Sequence, residues 1–163
     1  MAHNAPKEAY KKNIKIAKTT ITSLQTLTAS WANVTGSQIS YTPSEGATYV
    51  VYHFTTQMSY KDNDNNAWFK LQYGNDISTV GDITTNNVGY INALGGNNTT
   101  DTTYSSLITL SYTIPVWTGE KVLVVQSRSS STDFESYLNG LNNTVSFTNT
   151  SDYFNPFVEI YSI

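Results

Sequence analysis

The sequence predicts an all-β fold, a two-sheet antiparallel jelly-roll sandwich, and three observations predict it. Residues 47–60 (ATYVVYHFTTQMSY) alternate with a period of two, Val50, Tyr52, Phe54, Met58 and Tyr60 on one face and Tyr49, Val51, His53, Thr55 and Gln57 on the other. Residues 107–116 (LITLSYTIPV) do the same, with Ile108, Leu110, Tyr112, Ile114 and Val116 against Thr109, Ser111 and Thr113. Gly, Asn and Asp punctuate the intervening stretches, and helical periodicity is scarce. About eight to ten short strands with no helical crossover make a sandwich the natural architecture.

The elements follow in chain order. In residues 1–18 Pro6 suits a first helical position and Tyr10 and Ile14 are four apart, yet Ile14 and Ile16 alternate as in a strand, so both readings stand. Residues 61–67 (KDNDNNA) are turn chemistry, and 68–73 (WFKLQY) form a strand with Phe69, Leu71 and Tyr73 together. Gly74-Asn75-Asp76 and Gly81-Asp82 break the next stretch. Thr118-Gly119-Glu120 turns the chain into 121–128, where the run Val122-Leu123-Val124-Val125 implies burial on both faces. Thr132 or Asp133 is placed to cap a short helical turn carrying Phe134, Tyr137, Leu138 and Leu141, ended by Gly140 and Asn142-Asn143. The closing segment 157–163 (FVEIYSI) is apolar on both sides and reads as a centrally buried strand.

Charge divides the chain unevenly. Residues 1–18 hold Lys7, Lys11, Lys12, Lys15 and Lys18 against Glu8, whereas the rest holds four basic residues against eleven acids. The sequence therefore predicts an attachment arm over 1–18 and a jelly-roll domain over 19–163. Charged residues are 13% of the chain, about half the usual share. Hydroxyls and amides hydrate such a surface, so an apolar face left open favours oligomerisation. No continuous apolar segment suits a secretory leader or a membrane span, and the chain has no cysteine. Five lysines without arginine make a poor nucleic-acid signature. The same charge suits an arm laid across an acidic protein shell, with Ile14, Ile16 and Ala17 as its apolar grip.

Catalytic chemistry finds little to use. Of two histidines, His3 lies in the arm and His53 sits between Tyr52 and Phe54, where a hydrogen-bonded structural role is expected. Asp62, Asp64, Asp76, Asp82, Asp101 and Glu120 occupy turn-like contexts, in which acids bond their own backbone. No nucleophile elbow is present. Asp62-Asn63-Asp64-Asn65-Asn66 begins like a calcium loop but has Ala67 where the glycine belongs and Tyr73 where the bidentate Glu belongs. Gly95-Gly96-Asn97-Asn98 lacks the Lys-Ser/Thr and helix of a phosphate cradle. No catalytic residue, cofactor or metal site is expected. Arg128, the single arginine, and Glu159, the acid of the apolar terminal strand, invite a bridge within or between chains.

Residues 31–60 (WANVTGSQISYTPSEGATYVVYHFTTQMSY) and the closing Asn155-Pro156-Phe157-Val158-Glu159-Ile160-Tyr161 resemble bacteriophage virion proteins of the trimeric, tumour-necrosis-factor/C1q-like jelly-roll type. The resemblance implies a non-enzymatic homotrimer on the outer surface of a virion, assembled in the host cytoplasm. The short arm points to a capsid cement or decoration protein bound to the major capsid protein or another virion protein. Attachment would use Lys7, Tyr10, Lys11, Lys12, Ile14, Lys15, Ile16 and Lys18. Phe157, Glu159, Ile160, Tyr161, Ile163 and Arg128 would pack the trimer or the core. The rival expectation is a receptor- or carbohydrate-binding fibre head that meets host-surface glycans through Trp68, Tyr90 and the loops at 95–104.

Overall fold

A computed structural model describes residues 11–61, 66–83, 88–92, 103–129, 136–140 and 153–163. Twelve strands are described: β1 (Lys12–Lys18), β2 (Gln25–Thr26), β3 (Ala32–Asn33), β4 (Ile39–Tyr41), β5 (Tyr49–Lys61), β6 (Asn66–Gly74), β7 (Gly81–Asp82), β8 (Val88–Asn92), β9 (Thr103–Pro115), β10 (Lys121–Ser129), β11 (Ser136–Leu138) and β12 (Phe157–Ser162). No helix occurs among the described residues.

The first sheet runs β1-β12-β5-β9, with β11 beside the far end of β5 and β2 beyond it. The second has β6 and β10 at its centre, β7 and β8 along the free side of β6, and β3 and β4 along that of β10. All pairings are antiparallel, and the long strands alternate between sheets: β5 in the first, β6 in the second, β9 in the first, β10 in the second, β12 in the first. Strands that pair across the sandwich's ends rather than in successive hairpins give the jelly-roll topology.

The alternation read from the sequence decides what enters the core. Val50, Tyr52, Phe54 and Met58 of β5 are buried, opposite Ile114, Ile108 and Leu110 of β9 and Val158 and Ile160 of β12. Phe69, Leu71, Leu123 and Val125 answer from the second sheet. Val124, on the other face of β10, is buried as well, as the run 122–125 requires.

The two segments that carry the family resemblance meet in space. Gly36, in the left-handed region at φ 84°, lies against Pro156, and Thr19 N donates to Pro156 O at 3.0 Å. Ile21 N donates to the Asn155 side-chain oxygen at 2.9 Å. The Ser37 hydroxyl donates to Val34 O at 2.7 Å and accepts from Val125 N at 3.0 Å, pinning the turn to β10.

The structure settles one open reading and corrects one expectation. Residues 12–18 form β1, paired with β12 from Lys12↔Ser162 to Lys18↔Phe157 around a bulge at Asn13, whose φ is 49°. The alternating Ile14/Ile16 reading prevails over the helical one because β12 offers a partner along its whole length. Residues 136–138 are strand, not helix, since Leu138 pairs with Met58 of β5 and Gln25 of β2. The capping residues Thr132 and Asp133, with Phe134 and Leu141, lie outside the described residues, as do Lys7, Tyr10, Asp62–Asn65 and the loops at 95–102.

Candidate functional site

The outward face of the first sheet carries four of the terminal residues singled out from the sequence, Phe157, Glu159, Tyr161 and Ile163. Cross-strand partners share a face, so the register gives its rows directly. One row is Ile16, Glu159, His53 and Ser111; the next is Tyr161, Val51 and Thr113. Phe157, Thr55 and Thr109 form a third, and Gln57 with Leu107 extends the face beyond it. At the other end Ile163 and Tyr49 exchange backbone hydrogen bonds of 3.0 and 3.2 Å.

Apolar side chains stand open to solvent at the margins of this face, whereas Val51, Thr55 and Tyr161 between them are buried. Ile16 is 67% exposed, Leu107 60% and Tyr49 45%. The rest is largely hydroxyl, with Thr55 and Thr109 bonded to each other at 3.0 Å. Its best-defined charges neutralise each other: Lys11 Nζ sits 2.7 Å from Glu159 Oε1 and 4.2 Å from the centre of the Tyr161 ring. The hydrogen bond to Glu159 raises the Lys11 ammonium above its ordinary range and so holds it charged. His53 Nε2 and the Tyr161 hydroxyl lie 3.2 Å apart, the structural role expected of that histidine.

The terminal residues singled out from the sequence are thus divided by strand geometry. Phe157, Glu159, Tyr161 and Ile163 face outward, whereas Ile160 is fully buried in the core. Arg128 does not join them. It lies on the outward face of the second sheet, in register with Trp68, so the expected bridge to Glu159 does not form within the chain. Lys11 occupies that carboxylate instead.

The lysines of the N-terminal region behave unequally. Lys15 Nζ donates to Ser40 O at 2.9 Å and ties β1 to β4 of the other sheet. Asn13 Nδ2 donates to Thr42 O at 2.8 Å to the same effect. Lys12 and Lys18 are exposed, as are Ile14 and Ile16. Because β1 ends the sheet, its lysines and bulge also discourage unwanted strand addition.

Asp76 accepts from Ser78 N at 2.9 Å and from the Ser78 hydroxyl at 2.5 Å, bonds that hold its carboxyl below the ordinary range. That is the turn role expected of it. Among the described residues no group of three or more His, Cys, Asp or Glu is placed to hold a metal, and no helix is long and apolar enough to cross a membrane.

No protein-family model matches the chain, nor does any curated protein sequence. Among solved structures, the Eiger tumour necrosis factor from S. frugiperda is similar to it at 11% identity and a TM-score of 0.32, over 90% of this chain and 93% of that one. The jelly-roll assignment rests on the strand order and the alternation between sheets.

Proposed function

We propose that the protein is a non-enzymatic structural component of a virion. In this reading it assembles as a homotrimer through the outward face of the β1-β12-β5-β9 sheet and acts as cement on the outer surface of a phage capsid. The observation that supports it is the face itself: exposed Ile16, Leu107 and Tyr49 among hydroxyls, with the Lys11–Glu159 charges cancelled. Apolar surface of this kind gains by being covered, and a chain of low charge offers little repulsion against a second copy. The trimeric state and the phage setting come from the resemblance of residues 31–60 and 155–161.

The mechanism is thermodynamic. A protein that binds the assembled shell and not its loose subunits stabilises the shell by mass action. Three copies per assembly add avidity, so each contact can stay weak. Exposed Lys12, Ile14, Ile16 and Lys18 of β1 remain candidates for shell contact, together with Lys7 and Tyr10 in the preceding residues. Ile16 belongs to both proposed surfaces, so either the trimer or the shell covers it.

The test is binding to expanded capsids purified without the protein, scored by sedimentation. Deletion of residues 1–10 combined with Lys12→Glu and Lys18→Glu should abolish co-sedimentation and leave the solution mass unchanged. Full binding by that variant overturns the attachment surface. Absence of binding by the parent chain overturns the cement role.

A further inference from the structure

The outward face of the second sheet carries a cluster that the assembly reading does not use. Trp31 lies one residue before β3, Trp68 on β6 and Arg128 opposite it on β10. The Arg128 guanidinium carbon lies 4.8 Å from the centre of the Trp68 ring and 5.1 Å from that of Trp31. Lys70 Nζ is 4.7 Å from the Trp31 ring and 2.8 Å from Asp82 Oδ1. One register row away, Gln126 Nε2 donates to Asn33 Oδ1 at 2.9 Å, and beyond it Gln72 Nε2 donates to Asp82 Oδ1 at 2.8 Å. Tyr90 of β8 stands in register with Trp68.

The two cations differ in what they leave available. Lys70 is neutralised, and its hydrogen bond holds the Asp82 carboxyl below the ordinary range. Arg128 meets no carboxylate among the described residues, and its Nε is buried without a hydrogen-bond acceptor. Two indoles hold the guanidinium in place, which reduces the entropy lost when it receives an anion. The planar fork matches a carboxylate bidentately.

The surroundings narrow the ligand. One positive charge that meets no carboxylate among the described residues suits a single anionic group, while a nucleic-acid backbone needs several phosphates neutralised together. The amides of Gln126, Asn33 and Gln72 offer donors and acceptors suited to hydroxyls. Trp31 and Trp68 are half-buried, and the ring surface they leave open supplies apolar contact for the C–H side of a saccharide ring. We infer that this face binds a saccharide bearing a carboxylate, of the uronic-acid class, with Arg128 receiving the carboxylate and the Gln126–Asn33 pair meeting hydroxyls. The site lies on the opposite sheet from the proposed trimer face, so it stands whether or not the chain self-associates.

The experiment is a titration of the intact, ¹⁵N-labelled protein with methyl glucuronide, methyl glucoside and acetate, read at the three indole N–H resonances. Trp117, half-buried against Tyr41 and Tyr73 at the edge of the core with its Nε1 buried, serves as the internal control. Methyl glucuronide should shift the Trp31 and Trp68 signals saturably and leave Trp117 in place. The glucoside and acetate should each bind at least about tenfold more weakly, the factor one charge-assisted bond supplies. Arg128→Gln should lose the glucuronide response by a similar factor, and Arg128→Lys should restore part of it. The inference is overturned by a parent protein that shows no saturable shift, by acetate matching the glucuronide, or by Arg128→Gln titrating like the parent. Should Arg128→Gln not fold, the comparison of the three probes on the parent decides alone.

Discussion

Gly36 joins the two ends of the domain through a position only glycine fills comfortably. At φ 84° any other residue is strained, and a Cβ there would collide with the Pro156 ring and press on Thr19. Gly36→Ala should therefore cost about 2–4 kcal/mol, combining left-handed strain with overpacking. Gly46→Ala is the matched control, since φ is 70° there and no atom lies near the added carbon; its cost should be about 1–2 kcal/mol. Urea denaturation of both variants measures the difference, and equal losses would remove the Pro156 contact from the account. Val34-Thr35-Gly36-Ser37 stands inside the segment that carries the resemblance, but nothing local names its partner, because 120 residues separate Gly36 from Pro156. The core tyrosines make a second prediction at this scale. Tyr52 is buried, donating to Ser37 O, and burial pushes its hydroxyl far above the ordinary range. Burial pushes Tyr112 up too, and its hydroxyl has no hydrogen-bond partner among the described residues. Below about pH 10 the folded and unfolded chains both keep these protons, so the tyrosines add no pH dependence there. Above it the unfolded chain releases protons that the folded chain retains, and stability falls by about 1.4 kcal/mol per pH unit for each tyrosine. Denaturation midpoints that fall between pH 10 and 11 in the parent, and fall less steeply in Tyr112→Phe, would bear this out.

Among the elements, length decides what the sequence reveals. β5, β9 and β10 carry nine to thirteen residues each, enough for alternation or an apolar run to stand out. β12 has six, but its apolar density on both sides gave away a central place between β1 and β5. Two-residue strands such as β2, β3 and β7 have no periodicity to read, and they exist because a neighbour supplies hydrogen bonds. β11 shows the reverse failure. Phe134, Tyr137, Leu138 and Leu141 have helical spacing, yet Leu138 is fully buried against β5, and the pairing overrides the local pattern. The candidate face was half legible for a similar reason: the terminal residues stood out, but their partition between core and solvent awaited the register. Ile160 and Ile16 test that partition. Ile160→Ala opens a cavity beside Tyr52 and should cost about 2–5 kcal/mol, whereas Ile16→Ala, on an exposed position, should stay within about 0.5 kcal/mol at high dilution. Thermal melting of the two variants checks this, and a large loss at Ile16 would place it in the core instead.

For the whole molecule, the question is what covers the outward face of the first sheet. Four strands from β1 to β9 span about 14 Å at ordinary strand spacing, and the exposed apolar side chains lie at both margins, Ile16 on one and Leu107 on the other. A second copy that covered only one margin would leave the other wet, while a closed ring of copies buries both on every subunit. If the face serves this purpose, light scattering should give three times 18.1 kDa, about 54 kDa, for the parent. Its melting temperature should also rise with protein concentration, as it must when association stabilises the fold. Ile16→Lys with Leu107→Lys puts two like charges on each subunit's face without touching the core. That variant should run at 18.1 kDa, keep its β-sheet circular dichroism and lose the concentration dependence. A parent that stays at 18.1 kDa at every concentration defeats self-association in solution, and a variant that remains at about 54 kDa moves the contact to another surface.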